Sequence, residues 1–338
     1  MDAPKLRYMS SRLQLLDWIT SKLDRIQFST VLDAFGKNGL VSYALKAIGK
    51  EVTFNDIYKH NYHIGKAIIE NSSSKLTESK QLMYKNPSIT YNSFISDTYK
   101  GMYYTDEENY WLDIVTQNVE QMPNSYEKSI AYCSLIQACL AKRPFGGGFH
   151  SVNLKFRIRN KDNVKEKLQW HPFSYYFDKY TSDISEHVFD NGKKNKALNL
   201  NTSDLPTDFE LVFIDPLIKL FSNYDIFKNN IMYHFLEGLV NYSNWKNNIN
   251  LKDYRKPYTI KPNPWFTRDL VGKFEDTFFK FKDSILVAMV NSDIHLSWDN
   301  VKDIMLKYKH FVNVYASPLY RGPYKYKKSR QTYLIIGR

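Results

Sequence analysis

The sequence predicts an α/β fold, with a doubly wound, mostly parallel sheet interrupted by an inserted, mainly helical lobe. Three observations predict it. Short β-branched runs alternate with stretches of helical periodicity near the N-terminus, three such runs end in an Asp, and a long helical, polar region separates the first pair of runs from the others.

The elements follow in order. Ser29-Thr30-Val31-Leu32-Asp33 is apolar and β-branched and runs into a Gly-containing turn, as a buried parallel strand does. From Asn38 to Ile48, the residues Leu40, Val41, Ala44, Leu45 and Ile48 recur at helical spacing, with Gly49 as the stop signal. Glu51-Val52-Thr53-Phe54-Asn55-Asp56 reads as a second strand, and Tyr58 to Asn71 as a second helix. This strand–helix–strand–helix order argues for a parallel sheet with right-handed crossovers. Between Ser73 and Leu140 the pattern is helical and polar; a Gly146-Gly147-Gly148 break and a basic, aromatic segment follow. The sheet is predicted to resume at Phe209–Pro216, stopped by its proline, and to continue at Ser284–Val290, Phe311–Tyr315 and Gln331–Ile336, with a helix over Trp298–Tyr308. The last two strands are predicted to close it as an antiparallel pair. The expected organisation is therefore residues 1–72 as the first part of the sheet domain, 73–200 as the inserted lobe and 201–338 as the second part.

Composition narrows the class. Hydrophobic residues make up 43% of the 338, enough for a packed core, which excludes a disordered chain. No run approaches the ~18 apolar residues of a membrane span, and Met1-Asp2-Ala3-Pro4-Lys5 has no apolar stretch after a basic start, so no secretory leader is expected. Cys133 and Cys139, the two cysteines, share one apolar stretch, which excludes a disulfide scaffold and fits a reducing, cytoplasmic setting. They also lack the preceding proline that a cytosine-ring methylase needs for its nucleophile, and the scattered His residues suggest no metal site. His234, on an apolar aromatic stretch, reads as a core residue, and Asp106-Glu107-Glu108 as a solvated helix start.

The net charge of +12 is unevenly placed. Lys142, Arg143, Lys155, Arg157, Arg159, Lys161, Lys165 and Lys167 crowd one segment, opposed by Asp162 and Glu166. Lys307, Lys309, Arg321, Lys325, Lys327, Lys328, Arg330 and Arg338 form a second segment without an acid. Both are interleaved with Phe or Tyr, which suits a surface that holds phosphates and stacks on bases; the plainer alternative is a pair of solvated faces.

Asp33, Asp56 and Asp215 all end predicted strands. Doubly wound sheets bind ligands at the carboxyl ends of their strands, and an acid after the second strand suits the ribose hydroxyls of a nucleoside cofactor. The alternative is that these residues cap helices. The first turn, Asp33-Ala34-Phe35-Gly36-Lys37-Asn38-Gly39, is not a G-x-G-x-x-G fingerprint. Gly36 and Gly39 permit close backbone approach, whereas Lys37 places a side chain where a nucleoside loop usually has none.

Nearly end to end, the chain resembles the Dam-like, alpha-order DNA adenine methyltransferases. Leu6-Arg7-Tyr8-Met9-Ser10-Ser11-Arg12 is similar to that family's K/R-Y-x-G-S-K segment, Val31 to Ser42 to its D-x-F-x-G-[ST]-G-x-V loop, and Asn55-Asp56-Ile57 to its ribose acid. Lys142 to His150 and Trp170-His171-Pro172-Phe173 fall where the family carries DNA-recognition elements; Asp215-Pro216 stands in the place of the catalytic D-P-P-Y, with Tyr233 to Leu239 following as in restriction-associated members. The resemblance implies the S-adenosylmethionine-dependent methyltransferase fold, a DNA-recognition lobe, and a flipped adenine at Asp215. It also implies cofactor residues Tyr8, Ser11, Asp33, Phe35, Gly39 and Asp56, catalytic residues Asp215 and Pro216, and DNA contacts from Lys142, Arg143, His150, Lys155, Arg157, Arg159, Lys325, Lys327 and Lys328.

Four departures accompany the match. Leu217 and Ile218 replace the second proline and the stacking ring, although Phe221 or Tyr224 could supply a ring. Lys37 and Asn38 replace Gly and Ser/Thr, Ser10 and Arg12 replace Gly and Lys, and no Ser-Tyr pair precedes Asn291-Ser292-Asp293. The reading that follows is a duplex-DNA-binding methyltransferase homologue, impaired in catalysis, serving as a recognition or partner subunit beside an active methyltransferase or endonuclease in a restriction-modification setting. Two alternatives stay open: an active adenine-specific methyltransferase using S-adenosylmethionine, and an RNA-binding or structural protein on the same fold.

Overall fold

The computed structural model describes residues 2–8, 12–143, 149, 153–159, 170–218, 233–292, 296–321 and 329–338. Seven strands form one sheet: β1 Thr30–Asp33, β2 Glu51–Asn55, β3 Lys196–Leu198, β4 Leu211–Ile214, β5 Ile285–Asn291, β6 Val312–Ala316 and, after a two-stranded hairpin of β7 Tyr320–Arg321 and β8 Ser329–Arg330, β9 Thr332–Gly337. Their order is β3-β2-β1-β4-β5-β9-β6. The pairings β1–β2, β1–β4, β2–β3 and β4–β5 are parallel, and β9 lies antiparallel between β5 and β6. This is the mostly parallel sheet with one reversed strand of the S-adenosylmethionine-dependent methyltransferase fold. The antiparallel closure by the last two sheet strands is as predicted.

Strand periodicity builds two cores. Along β1, Val31 enters the hydrophobic cluster on one face and Leu32 that on the other; along β4, Leu211 and Phe213 alternate with Val212 and Ile214. In β5, Val287 and Met289 alternate with Leu286, Ala288 and Val290. With both faces covered, the strands are apolar on both sides, which is why they read as continuous apolar runs. One face is sealed by helices Leu270–Lys280 and Trp298–Leu306, through Phe274, Phe278, Val301 and Met305.

The other face continues into the lobe without a break in packing. Helices Asp106–Glu120, Ser125–Lys142 and Phe173–Glu186 contribute Leu112, Ile136 and Phe177 to the same cluster as Val31 and Phe213. Thr105 opens the first of these helices with a capping box to Glu108, as its sequence position favours. The sheet resumes slightly earlier than residue 200, because β3 lies at Lys196–Leu198. Three residues with one buried, Ala197, leave no periodicity to read.

The order reverses between β1 and β4, the position where doubly wound sheets open a ligand crevice at their carboxyl ends. Asp33, Asp56 and Asp215 all stand at that end. Among the described residues, no helix is long and apolar enough to cross a membrane.

Candidate functional site

The loop after β1 is fixed by its backbone. Gly36 donates its N–H to the carbonyl of Asn55 at 2.7 Å, and a Cβ at Gly36 would lie 1.9 Å from the Phe54 ring, so no larger residue fits. Gly39 turns the chain into helix Leu40–Ala47 with a φ of 73°. Lys37 is also left-handed, with a φ of 55°. For a residue with a Cβ, such a conformation costs about 1–3 kcal/mol and persists only where the surroundings enforce it.

Two contacts enforce it. The Lys37 N–H donates to Asp56 Oδ2 at 2.9 Å, and the Lys37 ammonium lies 2.7 Å from Asp215 Oδ2. Arg12 completes the cluster as a fork, with Nε on Asp215 Oδ2 at 2.8 Å and Nη2 on Oδ1 at 2.6 Å. Its remaining nitrogen, Nη1, reaches Asn291 Oδ1 at 3.0 Å. Arg12, Lys37 and Asp215 are 7%, 5% and 3% exposed, so both oxygens of Asp215 are held by cations away from water.

Burial would raise the Asp215 carboxyl, but the charges of Arg12 and Lys37 outweigh it and hold it at about 2. Lys37 moves the other way from a simple ion pair. Desolvation lowers its ammonium, and Arg12, a like charge on the same carboxylate, adds to that. Asp33 is pushed up to about 7, chiefly by burial, while its Oδ2 accepts from Ser42 Oγ at 2.6 Å. Asp56 is raised by burial, against the backbone N–H groups of Tyr58 and Lys37 that it accepts.

Beside this cluster lies a narrow cleft enclosing only about 20 Å³, lined by Tyr8, Phe35, Lys37, Asp56, Leu217 and Trp265, among others. Phe35 and Trp265 meet edge to face at 5.1 Å. At the Tyr8 side, Tyr8 stacks on Tyr233 at 5.5 Å, and His60 lies 5.3 Å from the Tyr233 ring while holding Glu237 through Nδ1 at 2.5 Å.

Tyr8, Phe35 and Asp56 thus border one cleft. Asp33 and Gly39 do not; they shape the loop that carries Lys37. Ser11, Phe221 and Tyr224 lie outside the described residues. Pro216 is buried, and Ile218 packs against the apolar cluster of the sheet's second face. Sequence reasoning missed the meeting of Arg12 and Lys37 at Asp215, because the three are distant in the chain. It also missed Trp265, whose signal was the Asn263-Pro264-Trp265 run.

The basic residues of the lobe divide into two groups. Lys142 and Arg157 are fully buried: Glu108 takes the Lys142 ammonium at 2.8 Å and the Arg157 guanidinium at 2.8 and 2.9 Å. Their expected DNA contacts are therefore corrected. Desolvation makes such charges costly unless paired, and the pairs hold two helices, Ser125–Lys142 through Lys142 and Asn153–Arg159 through Arg157, to helix Asp106–Glu120. Glu108 is correspondingly no solvated helix start; its carboxyl is lowered by these cations against the effect of burial. Lys155 and Arg159 are exposed on helix Asn153–Arg159, and Arg143 is half-buried with its guanidinium 5.4 Å over the Phe149 ring. His150, Lys325, Lys327 and Lys328 lie outside the described residues.

His234 is the core residue expected. It is fully buried, accepts the Tyr258 N–H through Nδ1, and is pushed down to about 3 by desolvation. Cys133 and Cys139 are buried and free, and burial raises both thiols, Cys139 to about 12.

No protein-family model matches the chain. It is similar to a methyltransferase. The relative is a type II methyltransferase, M2.HphI, of Haemophilus parahaemolyticus, 24% identical over 222 residues. The match covers 63% of this chain, and the chain spans 65% of the length of that curated relative. The fold and the likeness agree, and both point to methyltransferases.

Proposed function

We propose that the protein is a duplex-DNA-binding methyltransferase homologue in which Asp215 is withheld from chemistry, and that it acts as a recognition or partner subunit. The observation that carries this reading is the state of Asp215. A carboxylate that accepts hydrogen bonds from an adenine amino group needs lone pairs turned toward the base, and three of those on Asp215 are taken by the buried donors Arg12 Nε, Arg12 Nη2 and Lys37 Nζ. Leu217 lines the cleft beside it, where a turn with a second proline would be rigid. Kinship with methyltransferases implies S-adenosylmethionine, and the two halves of that molecule fit unequally. Phe35, Trp265 and Asp56 are residue types that a nucleoside site uses, apolar walls and a ribose acid, but the cleft must widen to admit one. The Lys37 ammonium stands where the charged sulfur would approach Asp215 and does not suit it.

Exposed Lys155 and Arg159, with the Arg143 segment, supply phosphate contacts on the lobe. Gel-shift competition among duplex DNA, single strands and RNA tests the binding side. Duplex should win; a preference for RNA would return the RNA-binding alternative.

A second reading, an active adenine-specific methyltransferase, is favoured by the intact strand-end acids and by a cleft that reaches Leu217 beside Asp215. Under it, Arg12 and Lys37 must release Asp215 when substrate binds, and Asp215→Ala must abolish a measurable activity.

A further inference from the structure

The segment that leads into helix Phe173–Glu186 presents two aromatic rings to solvent. His171 is exposed and Tyr175 is 46% exposed, and their rings stack with centroids 4.5 Å apart and planes 25° from parallel. Exposed aromatics standing singly are ordinary on a protein surface. This pair is instead held in place. The Lys142 ammonium donates to the His171 carbonyl, and the Tyr176 ring meets the Tyr175 ring edge to face at 5.1 Å. Phe173, between the two in the chain, is buried against Trp111 and Tyr104. The pair is therefore a fixed platform on the lobe with ring surface left in water.

The surface around it is basic. Trp170, next to His171 in the chain, lies under the Arg157 guanidinium at 4.6 Å, which sets helix Asn153–Arg159 and its exposed Lys155 and Arg159 beside the platform. Arg7 is exposed and donates from Nε to the Tyr180 hydroxyl at 3.1 Å, one turn along from Tyr176; Lys179 is exposed one turn along from Tyr175. Against these stand Asp106 and Glu107, exposed at the start of helix Asp106–Glu120, and Asp178, which accepts from Ser79 Oγ at 2.7 Å. Beneath them, Lys142 and Arg157 share the carboxylate of Glu108 and leave one more positive charge. Among the described residues here, cations exceed acids. Stacked rings set among cations match a nucleic acid with a base out of its helix: the base extends the ring stack and the flanking phosphates meet the cations. A base paired inside a duplex offers its faces to its neighbours and none to the protein.

We propose that His171 and Tyr175 form a stacking platform for an unpaired base, so that the lobe binds duplex DNA carrying one extruded base in preference to fully paired duplex. The proposal rests on the reading of the lobe as a duplex-binding surface. It is separate from the cleft beside Asp215, which neither ring borders.

Fluorescence anisotropy of the full chain with three DNA probes tests this. The probes are a fully paired duplex of mixed sequence, the same duplex with one unpaired 2-aminopurine, and the same duplex with one unpaired abasic residue, which keeps the backbone irregularity but has no base to stack. The wild type should bind the 2-aminopurine bulge at least about fivefold more tightly than either other probe. Tyr175→Ala and His171→Ala should each bring affinity for that bulge down to that for the abasic one, and Tyr175→Phe, which keeps the ring, should retain the preference. Equal wild-type affinities for the two bulges would overturn the proposal, and that comparison decides it even where a variant fails to fold. A preference that survives in both folded alanine variants would overturn it as well. Failure to bind any of the three duplexes would overturn the duplex-binding reading and this proposal with it, whereas binding of all three alike overturns this proposal alone.

Discussion

At the scale of single residues, two of the four departures from the methyltransferase pattern turn out to be one structural change. Arg12 and Lys37, 25 positions apart, meet on the two oxygens of Asp215. The linkage has a sign that can be measured. Asp215 is depressed to about 2, below the ordinary carboxylate value of 3.8, so its contribution to stability is present above about pH 4 and is lost as pH falls toward 2. Lys37→Gly removes one of the two counter-charges and should move the acid-unfolding midpoint to higher pH in a circular dichroism titration; an unmoved midpoint would mean that Lys37 does not hold Asp215. Asp33 behaves oppositely. Its carboxyl is raised from 3.8 to about 7, so the stability it contributes is complete below about pH 4 and is lost as pH rises to 7. Asp33→Asn should flatten the decline in melting temperature between pH 5 and pH 8, and an unchanged decline would count against a buried, protonating Asp33.

At the scale of elements, the helices and strands were legible wherever one period dominated. β1, β2, β4, β5, β6 and β9 each begin and end within two residues of an apolar run that reads as a strand. β3 was hidden because a three-residue edge strand has no pattern, and helix Leu270–Lys280 was not predicted although it carries the buried Leu270, Phe274 and Phe278. The site was legible in part. Strand-end acids and the aromatic Phe35 follow from local sequence, but partnership does not: nothing near Glu108 announces that its cations are Lys142 and Arg157. That pairing makes a prediction about helix Asn153–Arg159. Glu108→Gln leaves two buried cations without their carboxylate and should cost about 3–5 kcal/mol in a denaturant titration. A loss under about 1 kcal/mol would show that these cations reach solvent, as the DNA-contact expectation required.

At the scale of the whole molecule, charge and chemistry separate. The lobe shares one core with the sheet, so its exposed cations are presented by a rigid body rather than by a tethered module. Lys155→Ala combined with Arg159→Ala should weaken duplex binding while leaving stability unchanged. The slope of log affinity against log salt should become shallower by about one for each phosphate that is no longer neutralised. An unaltered slope would place the DNA elsewhere on the surface. The excess of positive charge stays at the surface, because the buried cations Arg12, Lys37, Lys46, Lys142 and Arg157 are matched among the described residues by the buried acids Asp33, Asp56, Asp113, Asp215 and Glu237.

The central claim, that Asp215 is held by its own chain rather than offered to a base, is tested most directly by transfer of a labelled methyl group from S-adenosylmethionine to duplex DNA of mixed sequence. The purified protein should incorporate no more label than its Asp215→Ala variant. Incorporation by the wild type that disappears in Asp215→Ala would contradict the account and establish an active methyltransferase.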